Sequence, residues 1–179
     1  MRVRRTFAFV DLCGFTALTD THGDDEAVAV LATFRFALRE VCSRRGVRIA
    51  KWLGDGAMLV CVDVAPAVAT VLEMEHRVVE EDWPLALRAG MTTGDVIMFE
   101  GDDYIGHPVN LASRLCAAAG PGEVLAQPEV ADVAPEWAAC HAVPDRELRG
   151  LADPVPVVEL SPCGEPDAEP VAELPRDLS

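Results

Sequence analysis

Phe7-Ala8-Phe9-Val10-Asp11-Leu12-Cys13-Gly14-Phe15-Thr16 is the stretch from which the rest of the chain is read. Residues 3–11 grow more apolar as they run, and a short apolar run followed by a glycine suits a central strand with a loop behind it. Asp11 then stands at the strand's end. The next apolar positions are Val28, Leu31, Phe34, Leu38, Val41 and Cys42. Their steps describe a helix over residues 24–44, with Asp24 and Asp25 at its start and Arg44, Arg45 and Gly46 at its end, as its dipole favours.

Further on, residues 47–53 and 57–63 are strand-like runs around Gly54-Asp55-Gly56. An Asp-Gly pair between such runs is a strong hairpin signal, which puts Asp55 at a hairpin tip. Pro66 suits the first turn of a second helix, residues 66–81, with Val68, Val71, Leu72 and Val79 on one face. Residues 85–90 and 92–99 read as two strands, and residues 110–119 as a helix stopped by Gly120-Pro121-Gly122. Residues 123–126, 140–143 and 155–160 read as further short strands. This order predicts α/β or α+β: a mixed, mostly antiparallel sheet with helices covering one face.

The 179 residues suit one domain. Residues 161–179 hold four prolines and five carboxylates against one basic residue, and are expected to be a disordered acidic tail. Residues 1–160 then form the folding unit. A net charge of -15 argues against nucleic acid polymers and anionic membranes as partners. No apolar run nears the roughly 20 residues of a membrane span, so no membrane insertion is expected. The first residues lack a secretory signal's apolar region, which makes the cytoplasm the expected location. Six cysteines without a CxxC pair read as buried residues or free thiols, not a zinc site.

Two carboxylates delivered to one sheet edge can hold two divalent cations about 3.5–4 Å apart, clamping the attacking and leaving oxygens of a phosphoryl transfer. Taken singly, Asp55 is more simply a turn former and Asp11 a helix cap. Their company changes that reading. The opening stretch resembles the strand-and-loop signature of class III nucleotidyl cyclases, an Asp, two residues, then Gly-Phe-Thr. Lys51-Trp52-Leu53-Gly54-Asp55-Gly56 is similar to that family's Lys-x-x-Gly-Asp hairpin. Gly106-His107-Pro108-Val109-Asn110-Leu111-Ala112-Ser113-Arg114 is similar to its Gly-x-x-Val-Asn-x-Ala-x-Arg helix start. The likeness runs over about residues 3–160, with residues 147–151 similar to the closing segment.

The resemblance implies a compact bacterial-type adenylate cyclase on a ferredoxin-like, palm-like sheet. It implies Asp11, Asp55 and the Leu12 carbonyl as ligands to two Mg2+ or Mn2+ ions per site, and hard oxygen donors suit those ions. Amides of Cys13, Gly14, Phe15 and Thr16 would meet the triphosphate, as helix N-termini do for anions. Asn110 would orient the ribose, and Arg114 would stabilise charge building on the α-phosphate.

In the family, the purine-selecting residue lies seven positions before the motif Asn, which here is Asp103; a count off by one gives Asp102. Lys51 and Asp103 match the adenine-reading pair, where guanylate cyclases usually carry Glu and Cys. An ammonium only donates, as adenine N1 requires, and a carboxylate only accepts, as the exocyclic amine requires. Family sites are built across an interface, so the resemblance implies a homodimer: Asp11 and Asp55 from one chain face Lys51, Asp103, Asn110 and Arg114 from the other. The alternatives are a catalytically weak cyclase-like dimerisation or nucleotide-sensing module, and a guanylate cyclase. One departure stands out: the Lys that often follows the closing-segment glycine is Leu151 here, with Arg149 as the candidate substitute.

Overall fold

The computed structural model describes residues 1–101 and 103–163. In chain order these form β1 (Arg2–Leu12), α1 (Phe15–His22), α2 (Asp24–Arg45), β2 (Arg48–Leu53), β3 (Gly56–Cys61), α3 (Val64–Glu80) and β4 (Leu87–Phe99). There follow β5 (Asp103–Ile105), α4 (His107–Ala118), β6 (Val124–Ala126), α5 (Pro128–Ala131), β7 (Ala138–Ala142) and β8 (Val158–Pro162). The strands order as β2-β3-β1-β4-β6-β8-β7, with β5 on β4, and among the described residues only the β4 to β6 pairing is parallel. A mixed, mostly antiparallel α+β sheet is what the order of elements predicts.

Alternation along β1 sorts the two faces. Ala8, Val10 and Leu12 are buried beneath Phe34, Leu38 and Val41 of α2 and Val68, Val71 and Leu72 of α3. Phe7 faces the other way and packs with Met58, Val60, Val96 and Ala112 of α4. Helices therefore cover both faces: the expectation of one covered face holds for α2 and α3 but not for α4. The reason is Gly90 in β4, where an added Cβ would lie 2.2 Å from the Cys116 backbone nitrogen and 2.4 Å from the Ala112 carbonyl. The Thr92 hydroxyl then ties the helix down by donating to the Pro108 carbonyl at 2.7 Å.

Other differences have local causes. Residues 87–99 are one strand, not two, because β1 pairs with it continuously from Arg2 opposite Ile97 to Leu12 opposite Leu87. Helix α4 begins at His107, three residues before the expected start, with Pro108 in its first turn, where a missing N–H costs nothing. Strand β8 runs through Pro162, opposite Ala138, so the sheet extends past residue 160; residues 164–179 and Asp102 lie outside the described residues. Helices α1 and α5 and strand β5 have no counterpart among the expected elements; all three are short.

Between α2 and α3, Glu73 is 8% exposed and accepts from Arg44 and Arg45, the latter at 2.9 Å, with Arg77 Nε 3.8 Å away. All six cysteines are free thiols, and burial pushes the Cys42 and Cys116 thiols up to about 12. Among the described residues no helix is long and apolar enough to cross a membrane.

Candidate active site

Alternation places Asp11 on the α4 side of the sheet, where the ladder sets it opposite Gly56 and beside Asp55. The hairpin tip is fastened there by the Leu12 N–H, which donates to the Asp55 carbonyl at 3.2 Å. Gly56 is needed: an added Cβ would lie 2.6 Å from the Val10 carbonyl and 3.0 Å from Asp11 Oδ1. At the end of β1 the chain turns through Gly14, in the left-handed region at φ 83°, and enters α1. A cleft of about 340 Å³ results, lined by Asp11, Leu12, Cys13, Gly14, Phe15, Thr16, Asp55 and Arg88, with Ala119 and Pro121 at the edge.

Arg88 is the residue that motif matching passed over. Its Nε and Nη2 donate to Asp11 Oδ2 at 3.0 and 2.7 Å, and that bonding holds the guanidinium proton more tightly than usual. The available signal was a lone cation in a strand otherwise made of small and apolar residues, Leu87-Arg88-Ala89-Gly90. Burial, and after it the neighbouring Asp11 charge, pushes the Asp55 carboxyl up. Two acids held together in this way are poised for a positive partner.

The donor set indicates which cation fits. Among the described residues no three His, Cys, Asp or Glu side chains converge as a metal cage. Mg2+ and Mn2+ do not need one, since such ions commonly take one or two carboxylates together with waters and phosphate oxygens. Asp11 and Asp55 suit hard divalent ions that arrive with a polyphosphate, and do not suit zinc.

A second cluster forms where β5 folds over β2. The Tyr104 ring meets Phe7 edge-on at 5.5 Å between centroids, and its hydroxyl accepts from Arg48 at 3.1 Å. Lys51 Nζ consequently lies 2.5 Å from Asp103 Oδ1, with both side chains 52% exposed. Asp103 is thus the acid that meets Lys51.

Helix α4 carries the third group. Asn110 is exposed and Arg114 half-buried, one turn apart. Arg114 lines a cavity of about 620 Å³ together with Ser113, Ala117, Ala118, Glu147, Arg149 and Gly150. Gly150, at φ +83°, comes so close that a Cβ would sit 3.4 Å from Arg114 Nη2. Neither Asn110 nor Arg114 lines the Asp11 cleft. Within one chain, therefore, the α4 pair does not line the cleft that holds the acidic pair.

A model of the adenylate and guanylate cyclase catalytic domain matches residues 4–153. The chain belongs to that family. A pH-sensitive adenylate cyclase of Mycobacterium tuberculosis is 38% identical to this cyclase domain over 154 residues, covering 82% of the domain and 38% of the relative. The domain spans about two-fifths of the length of the curated relatives it matches. Among solved structures, the adenylyl cyclase CyaB from P. aeruginosa superposes with a TM-score of 0.79 at 27% identity, covering 93% of this chain and 97% of that one. The guanylyl cyclase Cya2 superposes at 0.78 with 25% identity, over 93% and 96% of the two chains. Enzymes of both base specificities thus share this cyclase fold.

Proposed function

We propose that this cyclase domain is an adenylate cyclase, converting ATP to 3',5'-cyclic AMP and diphosphate in sites shared across a homodimer. The observation that carries the choice of base is the 2.5 Å approach of Lys51 to Asp103. A donor-only ammonium beside an acceptor-only carboxylate complements N1 and the exocyclic amine of adenine, and guanine presents the opposite pattern at both atoms. The pair is half exposed in a single chain, so its full discrimination awaits burial by the nucleotide and the second subunit.

In the reaction the ribose 3'-oxygen bonds to the α-phosphorus, the bond from that phosphorus to the bridging oxygen breaks, the 3'-hydroxyl gives up its proton and diphosphate leaves. Divalent cations would lower the hydroxyl pKa and neutralise the phosphates. Asp11, Asp55 and the Leu12 carbonyl would hold them. Residues 13–16 line the same cleft, and the amides of residues 14–16 would suit the phosphate oxygens; the Cys13 N–H donates instead to the Ala86 carbonyl at 2.8 Å. Asn110 of the other subunit would orient the ribose, while Arg114, a rigid fork of donors, would meet charge building at the α-phosphate. Arg149 shares the Arg114 cavity, which makes it the substitute cation for the triphosphate in place of the missing Lys.

Separation of the acidic pair from the α4 pair supports two chains per site. Ile97, Phe99 and Ile105 support it as well, since they leave an apolar, exposed surface on the β4–β5 hairpin. The test is product formation from Mn-ATP and Mn-GTP over a range of protein concentrations. Cyclic AMP as the main product, with specific activity rising with concentration, is expected. A dimeric sample that makes none would overturn the reading in favour of a nucleotide-sensing module, and cyclic GMP as main product would make it a guanylate cyclase.

A further inference from the structure

The hairpin that carries both Lys51 and Asp55 is gripped from helix α2. Arg35 Nη2 donates to the Gly54 carbonyl at 3.0 Å, one residue before the acid at the tip. The same guanidinium lies 4.8 Å from the centroid of the Trp52 ring, and Arg39, one turn further along α2, lies 5.0 Å from it. Arg35 Nε is buried without a hydrogen-bond partner. An orphaned buried N–H is costly, and it is retained here in a side chain whose hydrogen bond and ring contact both engage the hairpin.

Gly54 turns in the left-handed region at φ 68° and has no side chain with which to pack. Beside the ladder at Gly56, the tip is gripped by the Leu12 N–H on the Asp55 carbonyl from the β1 side and by Arg35 on the Gly54 carbonyl from the α2 side. Asp55 stands beside Asp11, and two like charges push the tip away from the sheet unless it is restrained. From this arrangement we infer that Arg35 is a positioning residue for the metal site, holding the Gly54 carbonyl so that Asp55 stays aimed into the Asp11 cleft. Trp52 orients the guanidinium for that contact by stacking. Arg39 shares the stacking but does not reach the tip, which separates the two roles.

The inference rests on the two-carboxylate metal reading above, and its test reads metal binding directly. Mn2+ binding is measured by loss of the free-ion electron paramagnetic resonance signal, in the full chain with a non-hydrolysable ATP analogue and against a protein-free sample with the same analogue, for wild type, Arg35→Met, Arg35→Lys and Arg39→Met. Arg35→Met keeps an apolar stem over Trp52 and loses the donor. It is expected to weaken Mn2+ binding about tenfold, the scale of a lost outer-shell contact. Its kcat should fall while the KM for ATP stays within about twofold. Arg35→Lys, which can still donate to Gly54, should recover most of the affinity, and Arg39→Met should leave it unchanged. Equal Mn2+ affinity in Arg35→Met and wild type would overturn the inference. So would an equal loss in Arg39→Met, since Trp52 packing alone would then explain both. Wild-type protein that binds Mn2+ yet makes no cyclic AMP would defeat the adenylate cyclase reading and leave the Arg35 result standing.

Discussion

Lys51 Nζ lies 2.5 Å from Asp103 Oδ1, although the two residues stand 52 positions apart in the chain. The contact exists because Tyr104 packs over Phe7 and is held by Arg48, which draws β5 across the sheet toward β2. Each side chain is 52% exposed, so as a surface ion pair it adds little stability. Under the adenylate cyclase proposal, its significance would lie in pre-arranging a donor and an acceptor for one purine.

Exchanging that pattern should exchange the substrate. The double variant Lys51→Glu, Asp103→Cys is expected to lose about 100-fold in kcat/KM for ATP and to gain activity with GTP, since unpaired polar groups then face adenine. Paired ATP and GTP assays measure this. A variant that keeps its preference for ATP would remove Lys51 and Asp103 from base selection.

Asp55 and Arg114 should complement each other between chains. Asp55→Ala and Arg114→Ala homodimers are each expected to be nearly inactive, whereas a mixture restores one intact site in every mixed dimer. Cyclic AMP production before and after mixing is the readout. No recovery in a mixture shown by mass to contain heterodimers would mean that each chain builds its own site.

The metal-free domain should be strained by its own acids. Because the folded-state pKa of Asp55 is raised by burial and then by Asp11, the stability tied to its neutral form is fully present below the unfolded value of about 4 and is lost as pH rises through the folded value. Asp55→Asn should therefore melt higher than wild type at pH 7 without metal, with the difference closing near pH 4. Adding Mn2+ and a nucleotide should reverse the order by stabilising wild type alone. Thermal unfolding across pH checks it, and a lower melting temperature for Asp55→Asn at pH 7 would refute it.

Glu73 should matter for stability and not for chemistry. Arg44, Arg45 and Arg77 converge on its carboxylate, and the Arg45 side chain is only 4% exposed. Removing one partner of so buried a pair costs about 3 kcal/mol. For Glu73→Ala this predicts a melting temperature lower by about 6–12 °C, with activity per folded dimer unchanged. A calorimetric scan and an assay well below the transition separate the two effects.

The sequence by itself determined whatever depends on neighbours along the chain. A run growing more apolar ahead of a glycine marked β1, three- and four-residue steps marked α2 and α3, and Gly54-Asp55-Gly56 placed an acid at a hairpin tip, because hydrophobic patterning and glycine's φ freedom are local properties. It also brought Asp11 and Asp55 into consideration as a pair, one at a strand's end and one at a hairpin tip, each inside a motif that resembles the cyclase family's. Only the tertiary structure decided what depends on partners far apart in sequence. The unbroken length of β4 comes from its ladder with β1, and the second covered face comes from Gly90 admitting the backbone of α4. Arg88 was an unremarked strand residue until β4 laid it against Asp11, 77 positions away. Arg35 carried no reading of its own until α2 packed beside the hairpin and gave it Gly54 and Trp52. Such contacts are products of packing: the chain's local preferences supply the elements, and only their assembly decides which charges meet.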